Sequence, residues 1–205
     1  MHITIPCGEW RLEGVLAERT DTDRAAVICH PHPLYGGNMN NPVVRAIEDG
    51  FQRAGLATLR FNFRGVGEST GSYGAGIGEA DDLRAAAAWI LDYTGAEALS
   101  VAGYSFGAMV VLRAGGGIAQ ADRLVAVAPP LSFFDLGSLN LGAMSKLFIV
   151  GDRDQYCDAA ELARQLIDVP EPARSVVVAG ADHFLFGYEA EIRAIVAESE
   201  AKEER

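Results

Sequence analysis

Ser105 lies between Gly103 and Gly107 in the stretch VAGYSFGAMVVL, residues 101–112, where one apolar run gives way to another. A serine held in a tight turn between a strand and a helix stands clear of the sheet, and its small neighbours two positions away let strand and helix approach. A chain with nine serines and 23 glycines produces such a G-x-S-x-G pentapeptide by accident in about one case in ten, so its surroundings must decide. The chemistry on offer is attack on an acyl carbon. A hydroxyl is a weak nucleophile near neutral pH and needs a base within hydrogen-bond reach, itself steered by an acid.

The chain has four histidines. His2 opens the first apolar run, and His30 and His32 lie together in CHPHPLYGG, whereas His183 stands late in the chain in GADHFLFG. Only His183 follows the last expected strand on a free turn, which makes it the candidate base. For the acid, the segment GDRDQYC offers Asp152 and Asp154. Asp154 is further out, where a carboxylate can turn back toward an imidazole. Asp152, close to the strand end, is expected to brace the loop, and Asp182 adjoins His183 too closely for a well-directed bond to its Nδ1. An oxyanion needs two aimed N–H donors. The first is expected from Phe106, next after the serine. The second is expected from HPHPLYGGNMN, where Pro31 and Pro33 have no N–H to give; Leu34 is favoured, with Tyr35 and His32 as alternatives. His30 and His32 have no third ligand at a helical or hairpin spacing, so no metal is expected, and no organic cofactor is called for.

These residues must be positioned by strands and helices in alternation. Strands are expected at His2–Ile5, Trp10–Ala17, Ala25–Cys29, Ala57–Phe61, Leu99–Ala102, Leu124–Ala128, Leu147–Val150 and Ser175–Ala179. The first two read as an antiparallel edge pair because RLEGVLAE alternates. From the third onward the runs are mostly continuous, as in strands buried on both faces. Helices are expected at Pro42–Arg53, Gly78–Tyr93, Asp158–Ile167 and Tyr188–Ser199, with another, FGAMVVLRA, directly after Ser105. Asp81 and Asp82 fall in early helical turns that favour negative charge. The closing ESEAKEER is expected to be a solvated helix end or frayed tail. Strand and helix in this order give a mostly parallel sheet with helices on both faces, whose ligands bind at the carboxyl ends of the strands.

A chain of 205 residues, 49% apolar, suits a single domain, 1–205, with one large core. The net charge of −11 repels phosphate backbones and anionic lipid, so neither nucleic acid nor membrane is expected as a partner. No basic leader or membrane-length apolar run is seen at the N-terminus, which points to a cytoplasmic protein. Cys7, Cys29 and Cys157 are too few and too scattered for a disulfide framework.

With Ser105, Asp154 and His183 in that order, and with the stretches CHPHPLYGGNMNNPVV, LRFNFRGVGESTGSYGAG, GYSFGA, GDRD and GADHFLFG, the chain resembles the α/β-hydrolase superfamily over nearly its whole length. Within it, these stretches look like a small bacterial subgroup of compact serine hydrolases, similar to dienelactone-hydrolase-like and acyl-peptidase-like proteins. The resemblance implies a three-layer fold with an eight-stranded sheet in the order 1-2-4-3-5-6-7-8. In place of the family's His-Gly-Gly loop stands His30-Pro31-His32-Pro33, which leaves the second oxyanion donor open.

Between the sixth and seventh strands the segment PPLSFFDLGSLNLGAMSK is too short for a helical lid, and no cap domain is expected. Leu131, Phe133 and Phe134 here, with Leu34, Tyr35 and Phe184, form either a shallow acyl pocket or ordinary packing. Arg64 in FNFRGVGES is expected to pin its loop. The expectation for function is a serine hydrolase of the carboxylesterase type acting on small soluble esters. A thioesterase, amidase or peptidase with the same triad is the alternative within enzymes, and a non-catalytic scaffold the alternative outside them. A homodimer is a possible assembly.

Overall fold

Asn41 and Pro42 start the first helix as the sequence suggests. The Asn41 side chain accepts the Val43 N–H at 2.9 Å, and Pro42 occupies a position whose missing N–H costs nothing. The computed structural model describes residues 1–201. Its strands are β1 His2–Cys7, β2 Trp10–Ala17, β3 Arg24–Cys29, β4 Ala57–Phe61, β5 Ala98–Tyr104, β6 Ala121–Val127, β7 Ser145–Gly151 and β8 Ala173–Val178. The α-helices are α1 Pro42–Arg53, α2 Ile77–Thr94, α3 Phe106–Ala114, α4 Ala159–Gln165 and α5 Glu189–Ala201.

The eight strands form one sheet in the order β1-β2-β4-β3-β5-β6-β7-β8, as expected. β1 and β2 pair antiparallel through a turn at Gly8 and Glu9, and β2 meets β4 antiparallel; every other pairing is parallel. Successive side chains of a strand point to opposite faces, and the central strands feed two cores. Ala26, Ile28, Ala102, Val125 and Ile149 pack with α1 and α5. Val27, Cys29, Val101, Leu124 and Phe148 pack with α2 and α3. This is the α/β-hydrolase fold in three layers. Between β6 and β7 there are only two short 3₁₀ turns, Leu131–Phe133 and Leu136–Ser138, so no cap covers the sheet's carboxyl end. Among the described residues no helix is long and apolar enough to cross a membrane.

Two expectations are corrected. β8 stands at the sheet edge, as the expected order has it, but its continuous run reads as buried on both faces, whereas Val177 is 47% exposed. A continuous Val run reports β-propensity and not position in the sheet. Asp82 lies in an early turn of α2, as expected. It is fully buried, and its carboxylate takes the backbone N–H and guanidinium of Arg64 at 2.7–2.9 Å. The expected solvated tail also fails in part, for Ser199 and Glu200 are buried. Glu200 pairs with Arg123 at 2.6 Å and accepts the Ser100 hydroxyl at 3.2 Å, while residues 202–205 lie outside the described residues.

Candidate active site

Ser105 sits at the turn between β5 and α3 with φ 54° and ψ −115°, a conformation that side chains other than glycine rarely adopt. Its own N–H is held by the Val127 carbonyl at 2.9 Å. The two flanking glycines are required by contact. A Cβ on Gly103 would stand 2.3 Å from the carbonyl of Gly107, and a Cβ on Gly107 would stand 2.4 Å from that of Cys29. The turn is thus wedged between its own helix and the end of β3.

The Ser105 Oγ lies 2.9 Å from His183 Nε2. His183 Nδ1 faces both oxygens of Asp154, at 3.0 and 2.9 Å. An Nδ1–H donating to the carboxylate leaves Nε2 with a lone pair, which can accept the serine proton. The Asp154 side chain is fully buried, and that of His183 nearly so. Asp154 Oδ1 also accepts the N–H groups of Tyr156 and Cys157, at 2.8 and 3.1 Å, which fix its rotamer. The loops that carry Asp154 and His183 are tied to each other. The N–H of Arg153 donates to the Ala181 carbonyl, and the N–H of Gly180 donates to Asp152 Oδ1 at 2.8 Å. Asp152 therefore braces the loop, and Asp182 closes its own turn by accepting the Phe184 N–H.

The other candidate histidines have different duties. His30 is fully buried. Its Nδ1–H donates to the Pro31 carbonyl at 2.6 Å, and its Nε2 accepts the Phe63 N–H at 3.0 Å. Burial pushes its pKa down to about 4, so it is a neutral strut between the loops after β3 and β4. His32 Nδ1 accepts the Leu34 N–H at 3.2 Å, and its Nε2 meets the Tyr73 hydroxyl at 3.2 Å.

The contact at His32 Nδ1 corrects one expectation. The N–H of Leu34, favoured as the second oxyanion donor, is engaged by His32 Nδ1, and that of Tyr35 donates to the His32 carbonyl at 3.1 Å. Among these three alternatives, only the N–H of His32 has no acceptor among the described residues. The N–H of Phe106, the first residue of α3, likewise has no acceptor among the described residues, as is usual at the start of a helix. The ring of His32 packs at a tilt against that of Phe106 with centroids 4.8 Å apart, which brings the two side chains together.

The apolar set around the triad divides. Leu131 is buried, and Phe134 packs on the core under the Arg113 guanidinium at 5.6 Å, so both are packing. Leu34, Tyr35, Phe133 and Phe184 are exposed. Phe133 stacks on Tyr156, whose ring stands edge-on to His183 at 4.7 Å. Sequence reasoning missed Tyr156, Tyr73 and Tyr104, whose hydroxyl donates to the His183 carbonyl at 3.1 Å. No spacing marks them, although Tyr104 and Tyr156 adjoin or closely follow residues that were chosen. Two open grooves, of about 530 and 610 Å³, lie elsewhere, lined by Glu18, Glu48 and Arg60 and by Asp23, Arg24 and Glu97. Neither holds such a nucleophile and base.

The sequence profile of the alpha/beta hydrolase fold matches residues 27–146. A curated relative, an uncharacterized protein of Rickettsia prowazekii, is 33% identical over 193 residues, covering 89% of this chain and 81% of the relative. Among solved structures, an alpha-beta serine hydrolase homologue from Coxiella burnetii superposes with a TM-score of 0.89 at 33% identity, covering 97% of this chain and 96% of that one. A Xanthomonas campestris protein described as an a/b serine hydrolase without lid gives 0.87 at 31% identity, covering 98% and 94%.

Proposed function

We propose, from the premise that this chain belongs to the alpha/beta hydrolase fold family, that it is a lidless serine hydrolase cleaving small soluble carboxylic esters through an acyl-enzyme. The observation that carries the reading is the unbroken relay from Ser105 Oγ to His183 Nε2, at 2.9 Å, and from His183 Nδ1 to Asp154.

In this reading Ser105 Oγ attacks the ester carbon as its proton passes to His183 Nε2, and the carbonyl electrons move onto the oxygen. Phe106 and His32 donate their backbone N–H groups to that oxyanion. The tetrahedral adduct collapses, the bond to the alkoxy oxygen breaks, and the proton on His183 Nε2 leaves with the alcohol. Water then repeats the sequence on the acyl-enzyme, with His183 taking its proton and returning it to Ser105. Asp154 stays a carboxylate throughout and holds the imidazole in the tautomer that each step requires. The open site and the exposed Leu34, Tyr35, Phe133 and Phe184 suit substrates that arrive from solution.

The experiment is hydrolysis of para-nitrophenyl acetate and butanoate by the purified chain and by its Ser105→Ala variant. The variant is expected to lose at least about a thousandfold in kcat. Equal turnover by both proteins would end this reading. A panel of thioesters and amides alongside these esters sets the leaving-group preference, which the triad does not dictate.

A further inference from the structure

The contacts of His32 fix where its proton must be, and through it the free proton of Tyr73. A peptide N–H can only donate, so the Leu34 N–H at 3.2 Å requires a lone pair on His32 Nδ1. The neutral ring then carries its hydrogen on Nε2, and that hydrogen donates to the Tyr73 oxygen at 3.2 Å. The phenolic oxygen is thereby used as an acceptor. Its own hydrogen has no acceptor among the described residues.

Tyr73 is also held in place. Its ring faces those of His32, at 5.1 Å, and Phe106, at 5.9 Å, which puts it beside the residue next to Ser105. The loop that carries it is pinned by the fully buried Glu79, whose carboxylate takes the N–H groups of Gly74 and Gly76 at 2.8 and 2.7 Å. Partial burial, the Glu79 charge and Tyr35 all raise the Tyr73 pKa, which favours the neutral, donating form of the phenol. The Glu79 carboxylate disfavours an anionic acceptor at the phenol, so the complementary group is a neutral oxygen.

We propose that Tyr73 is a specificity-determining residue whose hydroxyl donates to a neutral ether, hydroxyl or carbonyl oxygen borne by the ester substrate near its scissile carbonyl. The inference rests on the hydrolase reading above. It goes beyond that reading by naming the substrate class, esters with an additional uncharged oxygen on the acyl or alkoxy side.

The test compares substrates of matched size on one protein sample. On the acyl side these are para-nitrophenyl methoxyacetate against para-nitrophenyl butanoate; on the alkoxy side, methoxyethyl butanoate against butyl butanoate. In each pair one oxygen replaces one methylene. For Tyr73→Phe, kcat/KM is expected to fall about fivefold or more further for the oxygen-bearing member of at least one pair than for its partner, the size of one lost hydrogen bond. The ratio within a pair is independent of the folded fraction. Equal losses within both pairs would overturn the proposal and leave Tyr73 as a support for His32. Absence of Ser105-dependent turnover on every substrate by the unmodified chain would instead overturn the hydrolase reading, and this inference with it.

Discussion

The hydroxyl of Tyr104 donates to the backbone carbonyl of His183 at 3.1 Å, so the residue before the candidate nucleophile holds the loop of the candidate base. Burial raises the phenol's pKa, which keeps it a donor. Tyr104→Phe is expected to lower kcat by about three- to tenfold, the range of one neutral hydrogen bond, with KM little changed because the contact orients a base and not a substrate. Steady-state kinetics with para-nitrophenyl butanoate check this. A change confined to KM would contradict the positioning role.

The Asp154 side chain is fully buried, and both its oxygens face His183 Nδ1. Asp154→Asn can still bond to the ring, but it then presents an amide hydrogen to Nδ1 and favours the tautomer with Nε2 protonated. The expected loss in kcat is roughly a thousandfold or more with the fold intact, read by kinetics alongside a thermal melt. Asp152→Asn, by contrast, alters only a brace that accepts the Gly180 N–H, and is expected to keep kcat within about threefold.

The elbow gives a matched pair of glycine tests. A Cβ at Gly103 meets backbone at 2.3 Å, whereas one at Gly117 meets nothing within 4 Å. Gly103→Ala is expected to cost at least about 4 kcal/mol, through strain that the packed turn cannot relieve. Gly117→Ala is expected to change stability by less than about 1 kcal/mol. Urea unfolding of the two variants separates them.

His30 links stability to pH. Its pKa is lowered from 6.5 to about 4 in the folded chain by burial, so the unfolded chain takes up the proton first as pH falls. The stability that neutral His30 contributes is fully present above pH 6.5 and is lost as pH drops toward 4, by about 3 kcal/mol. Denaturant titrations across this window are expected to show the decline. A His30→Asn variant, less stable at neutral pH, is expected to decline less steeply, and an equal slope would contradict the assignment.

The end of α5 gives a test far from the chemistry. Glu200 and Arg123 form an ion pair in which both side chains are more than nine-tenths buried. Glu200→Ala removes the buried carboxylate that faces both Arg123 and Arg24, and is expected to destabilise the fold by about 1–3 kcal/mol. Catalysis by the fraction still folded is expected to persist, as activity measured per folded molecule would report.

What the sequence reveals about this molecule divides along physical lines. Periodicity and turn chemistry, which act over a few residues, mark α1 and α3 with their bounds, while the strand order is what the family resemblance implies. The relative placement of Ser105, Asp154 and His183 was legible because each follows a strand, and the carboxyl ends of parallel strands share one rim. Contacts between segments distant in sequence left no such trace. Asp82 reads like any acidic residue in an early helical turn until Arg64 is seen on it. Glu200 sits in a run of charges that composition alone assigns to solvent, yet Arg123 and Ser100 draw it inside. Leu34 failed as a free donor because the ring of His32, two residues back, takes its N–H, a local bond that depends on a tautomer and a rotamer.

The central claim is that Ser105 is a nucleophile activated by His183. Its most direct measurement is intact-mass and peptide-mass analysis of the folded chain after exposure to a fluorophosphonate. The expected result is one phosphonyl group per chain, on Ser105, formed at least about a hundredfold more slowly in His183→Ala. A folded chain that stays unlabelled, or that carries the label on another residue, would contradict the claim.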